Sequence, residues 1–400
     1  MSVAHAGEAQ ILEALRAVID PELHVDIVSL GMIEDLKVEA DRVSLTVNLT
    51  TPGCPLKAQI EKDVKEALSR VPGVGSINLK MGARVRKSIE TTGDLIPEVA
   101  NAVAIGSGKG GVGKSTVSVN LALAFARAGA AVGLMDADIY GPNDPQMLGL
   151  KTKPEVQDRK LVPVTVHGIK LMSMAFFLKE DEPVVWRGPM LHGAMKQFLG
   201  DVLWGKLDYL FIDLPPGTGD VQLTLSQIIP LTGAVLVTTP QDVALLDVRK
   251  AAAMFKKVNV PILGVIENMS YFNCPHCGER VEVFSHGGGK RVAEQFGAQF
   301  LGEIPLDVRV RQGGDDGRPV VVHDPKSGPA LAFKDMAEKL AAIISVNTFK
   351  KYEQEIVARS SIGPRAPVVR LPAAPARAGR LGRAPVRGRV GRIGGRRSRC

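Results

Sequence analysis

At 400 residues, 45% of them hydrophobic, the chain can bury a full core and divide into two or three domains. Its four cysteines (Cys54, Cys274, Cys277, Cys400) are too few for a disulfide framework; the absence of a long uncharged apolar run and of a basic-then-apolar leader argues against a membrane span or secretory signal, so a soluble, cytoplasmic protein is expected. The formal charge of +8 is carried by the end of the chain: from Ser361 onward there are eleven arginines, and no acidic residue follows Glu355, which leaves 39 basic against 42 acidic residues before that point and no electrostatic ground for nucleic-acid binding by the folded part.

Residues from about Glu8 to Ile89 read as a small α/β unit. A helical pattern (Ile11, Leu12, Leu15, Val18, Ile19) ends at Asp20-Pro21, and strands follow at Met32 to Val38 and Arg42 to Thr50, the second alternating at Val43, Leu45, Val47 and Leu49. Thr51-Pro52-Gly53-Cys54-Pro55 turns the chain into a helix with Leu56, Ile60, Val64 and Leu68 on one face, and a last strand is expected near Val74 to Lys80. The polar stretch Ser88 to Pro97 reads as a linker, bounding domains at residues 1–90 and 99–350 with residues 91–98 between them. From Val99 to about Val346 apolar strand runs alternate with amphipathic helices, the pattern of a mainly parallel, doubly wound sheet. Residues 360–400 are rich in Arg, Pro and Gly, with too little bulky apolar surface to fold alone, and are expected to be a disordered tail.

Gly106-Ser-Gly-Lys-Gly-Gly-Val-Gly-Lys-Ser115 follows an apolar strand and opens a helix, the setting in which such a pattern binds phosphate. Gly108, Gly110, Gly111 and Gly113 let backbone N–H groups turn toward phosphate oxygens, with Val112 and Thr116 in the same loop and helix entrance; Lys114 is placed to reach the β and γ phosphates and Ser115 to ligate Mg²⁺. Asp136 and Asp138 follow one strand and Asp213 another, and carboxylates at such strand ends face the ligand crevice of an open α/β sheet. Asp213 is the second candidate magnesium ligand and Asp138 the candidate for orienting an attacking water. Pro215, Pro216, Gly217 and Gly219 form a loop that could respond to loss of the γ phosphate. The additional Lys109 gives the variant KGGxGK[ST], which resembles the deviant Walker A class of dimeric ATPases; that resemblance implies a lysine reaching the partner's nucleotide, comparable to an arginine finger.

Cys274-Pro-His-Cys277 comes soon after an apolar strand. Two thiolates at this spacing supply half of a four-ligand site, and a two-fold dimer would supply the rest. The spacing itself leaves zinc, an iron–sulfur cluster and a redox pair open, and His276 and His286 could close a zinc site within one chain. Cys54, at a helix entrance, could carry a thiol of lowered pKa or be a small buried hydrophobe.

Taken in order, Lys109 to Ser115, Asp136 to Asn143 (DADIYGPN), Asp213 to Asp220 (DLPPGTGD), Asn268-Met-Ser270, Cys274-x-x-Cys277 and Ile304-Pro-Leu306 resemble Mrp/ApbC-type iron–sulfur carrier ATPases. Residues 1 to about 90, with Asp20-Pro-Glu22 and Pro52-Gly-Cys-Pro55, resemble the small iron–sulfur-assembly-associated domain that precedes the ATPase in longer members. The resemblance implies a homodimer with a [4Fe-4S] cluster bridging Cys274 and Cys277 of both subunits, binding and slow hydrolysis of ATP with Mg²⁺, cluster exchange with scaffold proteins and apo-proteins, and Asn268 near the adenine. Neither a membrane nor a specific nucleic acid is expected as a partner. A positioning ATPase of the MinD or ParA kind is the rival reading; the cysteine pair and DLPPGTGD favour the carrier.

Overall fold

A computed structural model describes residues 7–87, 95–177, 193, 196 and 198–361. The small N-terminal unit opens with helix Glu8–Leu15, followed by β1 (Ile33–Glu39), β2 (Arg42–Leu49), helix Lys57–Ser69 and β3 (Ser76–Ala83). β2 pairs antiparallel with β1 and parallel with β3, so the second helix is the crossover of a parallel pair. Alternation in β2 buries Val43, Leu45, Val47 and Leu49, which meet Ile60, Val64 and Leu68 of the crossover helix and Ile11 and Leu15 of the first. Between the first helix and β1, the Asp20 carboxylate accepts the N–H groups of Glu22 and Leu23, which explains why an acid precedes Pro21 at this turn.

Of the linker assigned to residues 91–98, residues 91–94 lie outside the described residues; Leu95 to Glu98 lead into β4 (Val99–Ser107). Then come helix Lys114–Arg127, β5 (Val132–Asp136), the short helix Asp144–Met147, a hairpin of β6 (Glu155–Gln157) and β7 (Lys160–Val162), and a second hairpin of β8 (Val164–Val166) and β9 (Ile169–Ser173). β10 (Leu207–Asp213), helix Asp220–Ile228, β11 (Gly233–Thr238), helix Asp242–Lys257 and β12 (Ile262–Glu267) follow. Two-residue strands β13 (Phe272–Asn273) and β14 (Arg280–Val281) precede helix Gly288–Phe296, β15 (Gln299–Glu303) and the long helix Gly328–Ser361.

Eight strands form one sheet in the order β15-β12-β11-β4-β10-β5-β9-β8, parallel except at the β8 edge. β5, β10 and β11 are buried along nearly their whole length and read in sequence as continuous apolar runs, as a sheet covered on both faces requires. The two described faces pack separate cores, one around Phe125, Tyr209, Phe211 and Phe333 and the other around Met135, Leu210, Phe255 and Val265. Helix Gly328–Ser361 runs well past Ile344. Its Phe349 packs against the core of the small unit, and the Arg86 guanidinium lies 5.8 Å from the Phe349 ring and 6.0 Å from that of Tyr352. A second contact joins Pro52-Gly53 of the small unit to the end of helix Lys114–Arg127, so close that a Cβ on Gly53 would stand 2.8 Å from the Ala128 Cβ. Residues 362–400, most of the tail, are outside the described residues.

Candidate functional site

β4 delivers the glycine-rich loop at the centre of the sheet, and helix Lys114–Arg127 begins at Lys114 itself. The glycines serve more than one purpose. Gly113 has φ +81°, and a Cβ there would meet the Asn268 amide nitrogen at 2.2 Å; Gly108 has no room because a Cβ would fall 2.1 Å from the Asp247 carbonyl carbon. Packing, as well as approach to phosphate, thus fixes glycine in this loop.

Lys114 is 6% exposed, and its Nζ lies 2.7 Å from Asp213 Oδ2, 3.7 Å from Asp138 Oδ2 and 3.2 Å from Ser115 Oγ. Burial opposes its charge, but the Asp213 carboxylate, with Asp138 and Asp144 behind it, holds its pKa above the ordinary lysine value. Asp213 also accepts Ser115 Oγ and Ser118 Oγ, both at 2.6 Å. Ser115 and Asp213 thus present adjoining hard oxygen donors, the donor type that suits Mg²⁺. Asp138 spends Oδ1 on the N–H groups of Tyr140 and Gly141, which leaves Oδ2 to the cleft. That cleft, about 390 Å³, is lined by Lys109, Lys114, Ser115, Thr116, Asp138 and Pro216 among others. The Lys109 ammonium has no ion-pair partner among the described residues.

Asp136 is fully buried, accepting Ser173 Oγ at 2.8 Å and the N–H groups of Asp138 and Asp144. Burial, reinforced by the neighbouring Asp213 charge, pushes its pKa up to about 8. Sequence reasoning passed over Asp144, eight residues further on. It is also fully buried, neither carboxylate oxygen has a hydrogen-bond partner among the described residues, and burial together with Asp136 and Asp213 raises its pKa well above the ordinary value. Asp136, Asp144 and Asp213 bring carboxylate oxygens within 4.8 Å of one another. The only hint in the sequence is a third acid in Asp136-Ala-Asp-Ile-Tyr-Gly-Pro-Asn-Asp144, where it reads equally well as a helix cap.

Asn268 follows β12 directly and donates its amide to the Val112 carbonyl at 2.9 Å, bracing the phosphate loop from behind. Six residues on, in the hairpin that follows the same strand, stands Cys274. Cys274 and Cys277 are free thiols in the turn between β13 and β14, closed by Cys274 N–H to the Glu279 carbonyl and Gly278 N–H to the Cys274 carbonyl, with Gly278 at φ +74°. Cys277 is exposed and Cys274 half-buried. The backbone N–H groups of Cys277 and then His276 lower the Cys274 pKa, favouring the thiolate that metals and electrophiles meet. Among the described residues no histidine or carboxylate joins the two sulfurs as a third metal-ligating group. His286 points elsewhere, its Nε2 lying 2.7 Å from Glu303 Oε1.

Cys54 is 9% exposed within the small unit's core, and burial, followed by the charges of Glu22, Asp20 and Glu338, raises its pKa to about 11. The stabilising effect expected at a helix entrance is present as the Leu56 N–H, but it is outweighed. A cavity of about 230 Å³ lies between the small unit and the large-sheet domain, lined by Gly53, Phe125, Tyr209, Lys334 and Glu338 among others, away from the phosphate loop. No helix among the described residues is long and apolar enough to cross a membrane.

Residues 98–341 match the family described as NUBPL iron-transfer P-loop NTPase, and residues 8–79 match the iron–sulfur cluster assembly protein family. The iron–sulfur cluster carrier protein of Deinococcus radiodurans is 51% identical over 348 residues, covering 86% of this chain and 98% of the relative; that of Synechocystis is 48% identical over 344 residues, covering 84% and 97%. Among solved structures, the nucleotide-binding protein of Archaeoglobus fulgidus, in complex with ADP and with cobalt found in it, is 42% identical with a TM-score of 0.52 over 58% of this chain and 91% of that one. A strand-borne phosphate loop, a strand-end acid beside its lysine and an exposed cysteine hairpin therefore sit in a chain that belongs to the iron-transfer P-loop NTPases and carries the iron–sulfur cluster assembly domain ahead of the NTPase.

Proposed function

We propose that two copies of this chain hold one [4Fe-4S] cluster between them, on Cys274 and Cys277 of each, and pass it from scaffold proteins to apo-proteins in the cytoplasm while binding and slowly hydrolysing ATP. The observation that carries this reading is the hairpin itself: two free thiols, one exposed and one half-buried, with no third ligand from their own chain among the described residues. Such a site is open on one side, and a cluster that needs four thiolates is completed by the same hairpin across a two-fold axis. Lys109 in the phosphate cleft, with no ion-pair partner among the described residues, asks for the same pairing, since a cation crossing to the partner's nucleotide offsets charge on the transferring phosphoryl group.

In the nucleotide site, Gly108 to Thr116 cradle the phosphates and Lys114 moves from Asp213 to their oxygens. Ser115 and Asp213 are the pair to hold Mg²⁺, which when bound neutralises charge on the β and γ phosphates. Asp138, with one oxygen fixed by two backbone N–H groups, orients the attacking water through the other. Asn268, anchored on Val112, links the phosphate loop to the strand that leads into the cysteine hairpin, so it relates to the nucleotide through the loop backbone.

Anaerobic reconstitution followed by iron, sulfide and zinc counts tests the reading. About four iron and four sulfide per dimer are expected, with near-complete loss in either Cys274→Ser or Cys277→Ser, because each replacement removes two of the four ligands. Bound zinc without sulfide, or a full cluster on a monomer, overturns it.

A further inference from the structure

The cysteine hairpin is rooted where three elements meet: the end of β12, the entrance to helix Gly288–Phe296 and the end of β15. Each contributes one metal-ligating side chain to the same point, and Glu267, His286 and Glu303 have ligand atoms within 4.8 Å of one another. Glu267 is fully buried, and its carboxylate is fixed by three donors: Ser270 Oγ at 2.6 Å and Gly287 N–H at 3.1 Å on Oε1, and Gly289 N–H at 2.6 Å on Oε2. Oε2 thus retains an unused lone pair. His286 stands between carboxylates, with Nε2 2.7 Å from Glu303 Oε1 and Nδ1 3.7 Å from Glu282 Oε1. Glu303 holds the ring through Nε2, while the Glu282 carboxylate lies near Nδ1 at more than hydrogen-bond distance, so the ring is placed among acids that could share a cation with it.

Charge points the same way. Three carboxylates gather around this ring, and among the described residues the one guanidinium paired with them is Arg280, 3.1 Å from Glu303 Oε2, while Arg291 reaches the His286 carbonyl. Capping of helix Gly288–Phe296 accounts for Glu267, but not for the approach of His286 and Glu303 from two other segments.

We infer that Glu267, His286 and Glu303 form a mononuclear site for a divalent transition cation at the root of the cysteine hairpin, separate from the two sulfurs. One imidazole and two carboxylates suit Zn²⁺, Fe²⁺, Co²⁺ or Mn²⁺, and the imidazole disfavours Mg²⁺ and Ca²⁺. On binding, the cation replaces the proton shared between His286 and Glu303, which leaves to solvent, and ties β12, β15 and the helix entrance together beneath the hairpin. The inference does not depend on the bridging cluster.

The test is Co²⁺ titration of the untagged full chain carrying both Cys274→Ser and Cys277→Ser, with saturating Mg-ADP present so that the phosphate-loop acids are occupied. One equivalent should bind, with weak visible bands of oxygen and nitrogen ligation and no sulfur-to-cobalt charge-transfer band. Adding His286→Gln or Glu303→Gln should weaken this binding about tenfold or more, while circular dichroism and ADP affinity stay unchanged. A folded double-serine chain that takes up no cobalt, or one whose affinity survives both glutamine replacements, overturns the site.

Discussion

Lys114 is held by Asp213 and Asp138 before any phosphate competes for it, so its transfer exchanges one charge-assisted contact for others. Contacts of this kind contribute about 1.5–3 kcal/mol each, and Lys114→Ala should weaken ATP binding by about tenfold or more in calorimetry; unchanged affinity would sink the phosphate-loop assignment. The same replacement leaves Asp136, Asp144 and Asp213 without their buried cation, so the variant should also lose thermal stability at alkaline pH. For Asp136 and Asp144 the sign is fixed by their raised folded pKa values. Between the ordinary carboxylate range and about 8 the folded chain holds more protons than the unfolded chain, so stability measured without nucleotide falls as pH rises through that window. Asp144→Asn removes one of these titrating groups without breaking a side-chain hydrogen bond among the described residues. It should raise the melting temperature at pH 8, by about 2–4 °C for each kcal/mol relieved in a domain of this size, and the gain should vanish near pH 4. A gain independent of pH would show that packing, not charge, is responsible. The thiols divide in the same manner: Cys54, buried with its pKa near 11, should be alkylated more slowly than Cys274, whose thiolate is favoured, by a factor of about ten or more at pH 7.5 in peptide mass spectrometry.

Among the elements, the most legible are those whose sequence carries one instruction only. β4, β10 and β11 read as apolar runs between helices because both faces of the sheet are covered, and the phosphate loop is named by its glycines and lysines. β8, β9 and the β13/β14 hairpin were not anticipated: strands of two to five residues are too short for a period to register, and their place is set by partners remote in sequence. Asp144 was missed for a related reason, since only the fold brings it against Asp136 and Asp213. The sequence leaves open that His286 closes a zinc site with the cysteines, whereas in the fold its ring lies against Glu303 of a remote strand and near Glu282 four residues before it. The loop between β4 and helix Lys114–Arg127 carries a prediction of its own. If Lys109 acts across a dimer, Lys109→Ala should lower the hydrolysis rate much more than ATP affinity, because its charge matters most as the phosphoryl group transfers. Hydrolysis at the parental rate would count against the role in trans.

For the molecule as a whole, the arginine-rich stretch after Ile362 lacks the apolar residues needed to pack. Ending the chain there should preserve ATP hydrolysis and cluster binding while abolishing any salt-sensitive association with DNA; cluster loss on truncation would assign the stretch a part in the core activity. A different constraint lies in helix Lys114–Arg127, whose first residue must meet Asp213 while the residue just after its last turn must meet Gly53 of the small unit. An inserted residue would advance the far end by about 1.5 Å and rotate it by about 100°, so the two fits tune one helix like a key cut at both ends. Its length of 14 residues is therefore closed to insertion or deletion, even where every side chain along it could be exchanged for another of similar size.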